Sequence, residues 1–206
     1  MTRKILATIA ILGLGSQTAL YAAEGCTLNR VLGDVKVMRE GQEMAAAQND
    51  ALKKGDKLMT GPDCTADMSM NDLAGCRVLP GSEVEVAGWK PENMSLNVVS
   101  GNVVLNLKTL PKDSNFKVET PTAVATVRGT QFWGRVEGPS DSPVTTFAVR
   151  EGVVEIMDKA SSQMFTLNPG QALDLSKDAA TPPALREALP GEMQAMEQAD
   201  SIANQA

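Results

Sequence analysis

The stretch TPTAVATVRGTQF, residues 120–132, sets Arg128 alone among small and β-branched residues, directly before Gly129 and Thr130. A planar guanidinium with a fixed fork of donors suits an anion, so one reading makes Arg128 a hook for a carboxylate or another anionic group. The other reading is structural. Alternation puts Ala123, Ala125 and Val127 on one face of a strand and Thr122, Val124, Thr126 and Arg128 on the other, and Gly129 then breaks the strand as a bulge or by positive φ. Arg128 would then hold carbonyls freed by the bend or pair with Glu119 or Glu137. This second reading is favoured, and it predicts that Arg128→Ala costs about 3–5 kcal/mol of stability. Phe132 is assigned to the core, and Trp133, the next strand position, to the opposite face. Trp133 is the first choice for an exposed binding surface, against burial under the tail or a loop.

Other chemistry is scarce. The chain has no histidine, which removes the most common general base, the usual serine and cysteine triads and most zinc sites. Carboxylates such as Glu83 and Glu85 alternate with valines, as solvent-facing strand positions do. Asp67, Ser69 and Asn71 follow the first, third and fifth positions of a calcium loop, but Asp72 and Val78 stand where that loop needs glycine and glutamate. No catalytic residue, metal site or cofactor is assigned, and the expectation is a binding protein and not an enzyme. Cys26, Cys64 and Cys76 allow at most one intramolecular disulfide. The preferred pair is Cys64 with Cys76, which flank the hairpin TADMSMNDLAG, and Cys26 could replace either.

The elements that must hold these residues are short strands. DVKVM (34–38), EVEV (83–86), SLNVV (95–99), NVVLNL (102–107), TAVATV (122–127), TTFAV (145–149) and VVEIM (153–157) alternate or are β-branched, with glycines between them. GDVKVM from Gly33, GNVVLN from Gly101 and GVVEIM from Gly152 repeat one pattern, and ALKKGDKL and TLNPGQAL, the latter with Gly170, add a second glycine turn after the outer copies. The expected fold is all-β, a β-roll or two-sheet sandwich of short strands with internal strand-turn-strand repeats, over residues 24–175. Residues 176–206, rich in Ala, Gln, Glu and Pro, are expected as a flexible or partly helical tail. A short helix over 191–203 would set Met193, Met196 and Ile202 on one side.

At the other end, Arg3 and Lys4 precede an apolar run from Ile5 to Leu14 and small residues at Ala22 and Ala23. This reads as a signal peptide over residues 1–23, too short for a stable membrane span in the mature chain. Periplasmic or secreted localisation follows as an expectation. The formal charge is −6, and removing Arg3 and Lys4 leaves 17 basic against 25 acidic residues, about −8. That balance, without a Lys/Arg cluster, disfavours nucleic acid.

ETPTAVATVRGTQFWGRV (119–136), FAVREGVVEI (147–156) and LNPGQAL (167–173) resemble the signature half of FecR-like domains. Upstream, GDVKV, LKKGDKLMTGPDCTADMSMNDLAGCRVLPGSEVEV and LNVVSGNVVLNL are similar to the remainder, so the resemblance spans roughly residues 30–175. On it, Thr120, Pro121, Arg128, Gly129, Thr130, Phe132, Gly152 and Gly170 form a structural signature. In its best-known setting the family implies a periplasmic sensor that controls an alternative sigma factor and reads a TonB-dependent transporter. Here the resemblance implies a stand-alone exported domain. The expected function is recognition of an envelope protein or cell-envelope polymer in signalling or assembly. The alternatives are a receptor for a sugar or peptidoglycan fragment, and a regulator in sigma-factor and transporter signalling.

Overall fold

The computed structural model describes residues 25–112, 114–178 and 180–199, so the expected leader, and Ile202 in the expected helix, lie outside the described residues. The chain alternates between two sheets, A and B. β1 (Cys26–Leu32) lies in A, and β2 (Val35–Arg39) and β3 (Gln42–Ala45) in B. β4 (Ala51–Leu52) returns to the edge of β1, and β5 (Lys57–Thr60) to B. β6 (Thr65–Met70) and β7 (Ala74–Val78) form a hairpin in A, and β8 (Glu83–Lys90) lies in B. β9 (Asn93–Leu107) starts in B and finishes in A. Hairpins then alternate: β10 (Phe116–Glu119) and β11 (Ala123–Val127) in B, β12 (Gln131–Glu137) and β13 (Val144–Glu151) in A, β14 (Val154–Asp158) and β15 (Met164–Leu167) in B. β16 (Gln171–Ser176) and β17 (Ala184–Glu187) close A, and helix α1 (Pro190–Gln198) packs against β12 and β13 of that sheet. Sheet A runs β4-β1-β6-β7-β9-β12-β13-β16-β17 and sheet B runs β3-β2-β5-β8-β9-β10-β11-β14-β15, with β9–β10 parallel and the other pairs antiparallel. The all-β expectation, with a small helical tail, holds.

Alternation builds the core between the sheets. Val35, Val37, Leu58, Val84, Leu96, Phe116, Ala125 and Ile156 are buried from B, and Leu28, Met68, Val103, Leu105, Phe132 and Phe147 from A. Phe132 and Phe147 tilt against each other with ring centroids 6.3 Å apart. Where the chain crosses at Gly101, Gly129 and Gly152, the buried set switches parity. Leu96 and Val98 give way to Val103 and Leu105, and Ala125 and Val127 to Phe132 and Val136. One residue in the left-handed region at each crossing makes that switch: Gly129 has φ +73° and Gly152 φ +78°. At Gly152 a Cβ would lie 2.6 Å from Gly129 O, so the two corners pack backbone on backbone. The sequence repeat beginning at Gly33, Gly101 and Gly152 is this corner.

The TPT signature works as a turn. Thr122 Oγ1 donates to Thr145 Oγ1 at 2.6 Å, Thr145 Oγ1 to Thr120 Oγ1 at 3.0 Å, and Ala123 N to Thr120 Oγ1 at 3.0 Å. This buried hydroxyl chain ties the β10–β11 turn of B to β13 of A, and Pro121 sits exposed at its apex. The GD pair in ALKKGDKL is also structural: Asp56, 2% exposed, takes Arg39 Nε at 2.9 Å and Lys53 N at 2.7 Å. Burial pushes its pKa up, but the Arg39 and Lys53 donors outweigh that and hold it below the ordinary carboxylate value.

The expected Cys64–Cys76 disulfide is absent; Cys26, Cys64 and Cys76 are free and buried. The β6–β7 turn places Met68 opposite Cys76, so Cys64 lies four residues up the strand, about 13 Å away. Cys26 is no substitute, because β6 lies between β1 and β7 and Cys26, opposite Met70, stands two residues off the Met68–Cys76 register, about 12 Å from Cys76. Burial, then Asp56, pushes the Cys26 thiol up to about 12, and burial also raises Cys76.

Candidate functional site

Trp133 is not an exposed platform. It is 7% exposed, and one row across the outer face of sheet A shows why: Arg77, Val104, Trp133, Ala148, Ala172 and Arg186 are successive register partners. The small Ala148 and Ala172 leave a shallow trough beside the indole, and Met196 and Ala199 fill it, both fully buried. Polar contacts hold α1 at both ends. Arg186 donates to Glu192 Oε1 at 2.6 Å and to Asp174 Oδ2 at 2.7 Å, while Glu192 Oε2 accepts Leu189 N at 2.7 Å at the helix start. At the far end, Gln131 Nε2 donates to Met196 O at 3.2 Å and Arg77 Nη1 to Gln198 O at 2.8 Å. Carboxylates on both sides hold the Arg186 guanidinium in its charged form, Glu192 first and then Asp174. The expected partly helical tail is thus a strand and a helix laid on the domain.

Sheet B is finished differently. Its outer face carries Val124, Met157 and Met164 in one cross-strand row, with Met157 37% and Met164 59% exposed. Among the described residues, β15 pairs with β14 alone. Asp158 N donates to Gln163 O at 2.9 Å, so by alternation the N–H and C=O groups of Met164 and Thr166 point away from β14, towards the open edge. The other terminal strands β3 (QEMA) and β17 (ALRE) carry charged residues, and β4 is two residues long; β15 reads MFTL, without a charge.

Arg128 opens a second feature on the same side. The expected buried pairing does not occur: Glu119 is held by Lys159 at 2.6 Å, Glu137 is paired with Arg135, and Arg128 is exposed. Its contact among the described residues is a long one, Nη2 to Pro111 O at 3.5 Å. Gly129 turns the chain at this point as expected, so the bend needs the glycine and not the arginine. Arg128 instead lines a cleft of about 660 Å³, together with Lys112, Ser114, Asn115 and the Gly129 and Gly152 corners. Glu155 and the half-exposed Val153 also line it. Thr130, Phe132 and Gly170 take structural places, in the core or at a corner.

Sequence reasoning missed Lys112, Val153 and Glu155, because the corner that gathers them joins strands distant in the chain. It also missed the burial of Met196, although a signal was present. FAV (147–149) and VVL (103–105) are apolar at consecutive positions, which a strand shows when both faces are covered.

Residues 56–155 match the family model described as FecR protein. No curated protein matches. Two crystal structures of a candidate anti-sigma factor from Parabacteroides distasonis, at 1.65 Å and 2.50 Å, resemble the chain with a TM-score of 0.58 and 15% sequence identity. Each likeness covers 69% of this chain and 64% of that one, so the chain spans less than two thirds of those structures, and what is shared is the fold.

Proposed function

Residues 56–155 are a FecR domain, and on that premise we propose that the protein is a non-catalytic regulator in sigma-factor signalling that works by binding another protein. The family match and the fold shared with candidate anti-sigma factors support the signalling role. The leader read in residues 1–23 supports a periplasmic place of action, with an envelope protein as partner. The observation that carries the binding mode is the uncharged open edge of β15, whose outward backbone groups at Met164 and Thr166 sit beside the exposed Met157 and Met164 side chains. An extended segment of the partner adds there as a further strand, with main-chain hydrogen bonds supplying affinity and the methionines adaptable apolar contact.

Thr166→Pro tests this reading, since proline is tolerated where an edge N–H faces outward and blocks a strand from pairing there. Transcripts are compared in cells lacking the gene and in cells complemented with the wild-type or the variant chain. The wild-type chain is expected to restore a sigma-factor-dependent set that Thr166→Pro does not restore, at equal protein level and melting temperature. Full complementation by the variant, or an unchanged transcript profile on deletion, contradicts the reading.

A further inference from the structure

The cleft beside Arg128 has the composition of a site for a carboxylate at the end of a peptide. Its volume of about 660 Å³ lies in the range of ligand sites. Arg39, Arg77, Arg135 and Arg186 each hold a carboxylate of this chain, whereas Arg128 and Lys112 present their charges at the cleft with no ion pair among the described residues. Two such cations lining one cleft of a protein with formal charge −6 mark a local exception to its acidity. Glu155 also lines the cleft, where it repels a second negative charge and accepts N–H donors. A phosphate-rich or polysulfated chain is disfavoured by that carboxylate. A neutral sugar lacks a stacking ring here, because no aromatic residue lines the cleft. A single carboxylate beside backbone N–H groups fits a lining of two cations and one carboxylate.

We propose that this cleft binds the acidic end of a peptide segment. The carboxylate pairs with the Arg128 guanidinium, with Lys112 adding charge. The neighbouring N–H groups face Glu155, and an apolar side chain lies on Val153, which is 47% exposed. The cleft lies at the Gly152 end of β14, the strand that carries β15, so a segment added along the β15 edge runs towards it. To that extent the proposal rests on the protein-binding reading above, and it names the chemistry of the partner segment: extended, uncharged along the edge, and acidic at its terminus.

The test titrates the isotope-labelled full-length chain with the peptide acetyl-Gly-Ala-Val-Ala-Ala bearing a free C-terminus, its single carboxylate. Its controls are the same peptide with a C-terminal amide, and free glucuronate. The proposal expects saturable NMR shifts at the Arg128 side-chain N–H and at the Gly129, Gly152 and Val153 amides. Binding should weaken about tenfold for the carboxylate-free peptide and to a similar degree in Arg128→Gln, as for loss of a hydrogen bond to a charged group. Melting temperature should not change in that variant. Equal binding of the carboxylate-free peptide, undiminished binding by Arg128→Gln, an absence of shifts, or shifts from glucuronate alone overturns it. The titration needs no cellular partner, so its failure is separate from that of the Thr166→Pro complementation.

Discussion

The two outer faces of this sandwich are woven from the same kind of alternating strand and are finished in opposite ways. On sheet A the outward row is Val104, Trp133, Ala148 and Ala172, and α1 seals it with Met196 and Ala199 under the clamp of Arg186, Gln131 and Arg77. On sheet B the outward row is Val124, Met157 and Met164, ending at an uncharged edge and next to an arginine with no carboxylate partner among the described residues. The difference teaches that the residue most like a binding platform, a tryptophan beside small residues, has been used internally. The surface left open on sheet B offers methionine side chains, outward backbone groups and the Arg128 guanidinium.

The largest expected effect separates the faces directly. Trp133→Ala empties the contact between sheet A and α1 and should lower the unfolding free energy by about 3–5 kcal/mol in urea titration. Met157→Ala on sheet B should stay within about 0.5 kcal/mol. Similar losses for the two would erase the distinction.

Sheet B is nonetheless firmly built under its open face, and Asp56 shows it. Asp56→Asn removes the carboxylate that anchors Arg39 and the Lys53 turn, and should cost about 3 kcal/mol at neutral pH. Because the folded pKa of Asp56 lies below its unfolded value, that stability is fully present above about pH 4 and is lost as pH falls through the folded pKa. Stability curves of wild type and variant should therefore converge in acid and diverge on raising the pH. A constant gap down to pH 2 would contradict the ion pair.

Arg186→Ala loosens one clamp of α1 and should cost about 1 kcal/mol, with a red shift of Trp133 emission as the helix frays. An unshifted spectrum would show that Met196 packing alone holds the lid. Smallest of all is Arg128→Ala, expected within about 0.5 kcal/mol. A loss of several kcal/mol would restore the structural reading of this residue.

Much of the architecture could be read in the chain. Period-two alternation names the core residues of β8, β11 and β14, and Gly101, Gly129 and Gly152 mark the crossings because their backbone angle is one that other residues resist. What could not be read depends on partners distant in sequence. Cys64 and Cys76 looked like a pair until the turn at Asn71–Leu73 fixed a register that puts Met68 opposite Cys76. Arg128 is expected to hold carbonyls freed by the bend or to pair with Glu119 or Glu137; it reaches one carbonyl, Pro111 O, at 3.5 Å, while Lys159 and Arg135 hold those carboxylates, and which cation reaches an acid first is settled by strand order. Trp133 was placed on the right side of its strand; its cover came from a helix some sixty residues away, whose two buried residues make a weak pattern of their own.

Amide hydrogen exchange on the full-length chain is the most direct test of the contrast between a closed face and an open one. The account predicts that the amides of Met196 in α1 and of Ala199 at its C-cap exchange slowly, as a docked helix requires, and that the outward amides of Met164 and Thr166 exchange close to the rate of an unprotected peptide although they lie within a strand. Fast exchange across α1 together with protection at Met164 and Thr166 would contradict it.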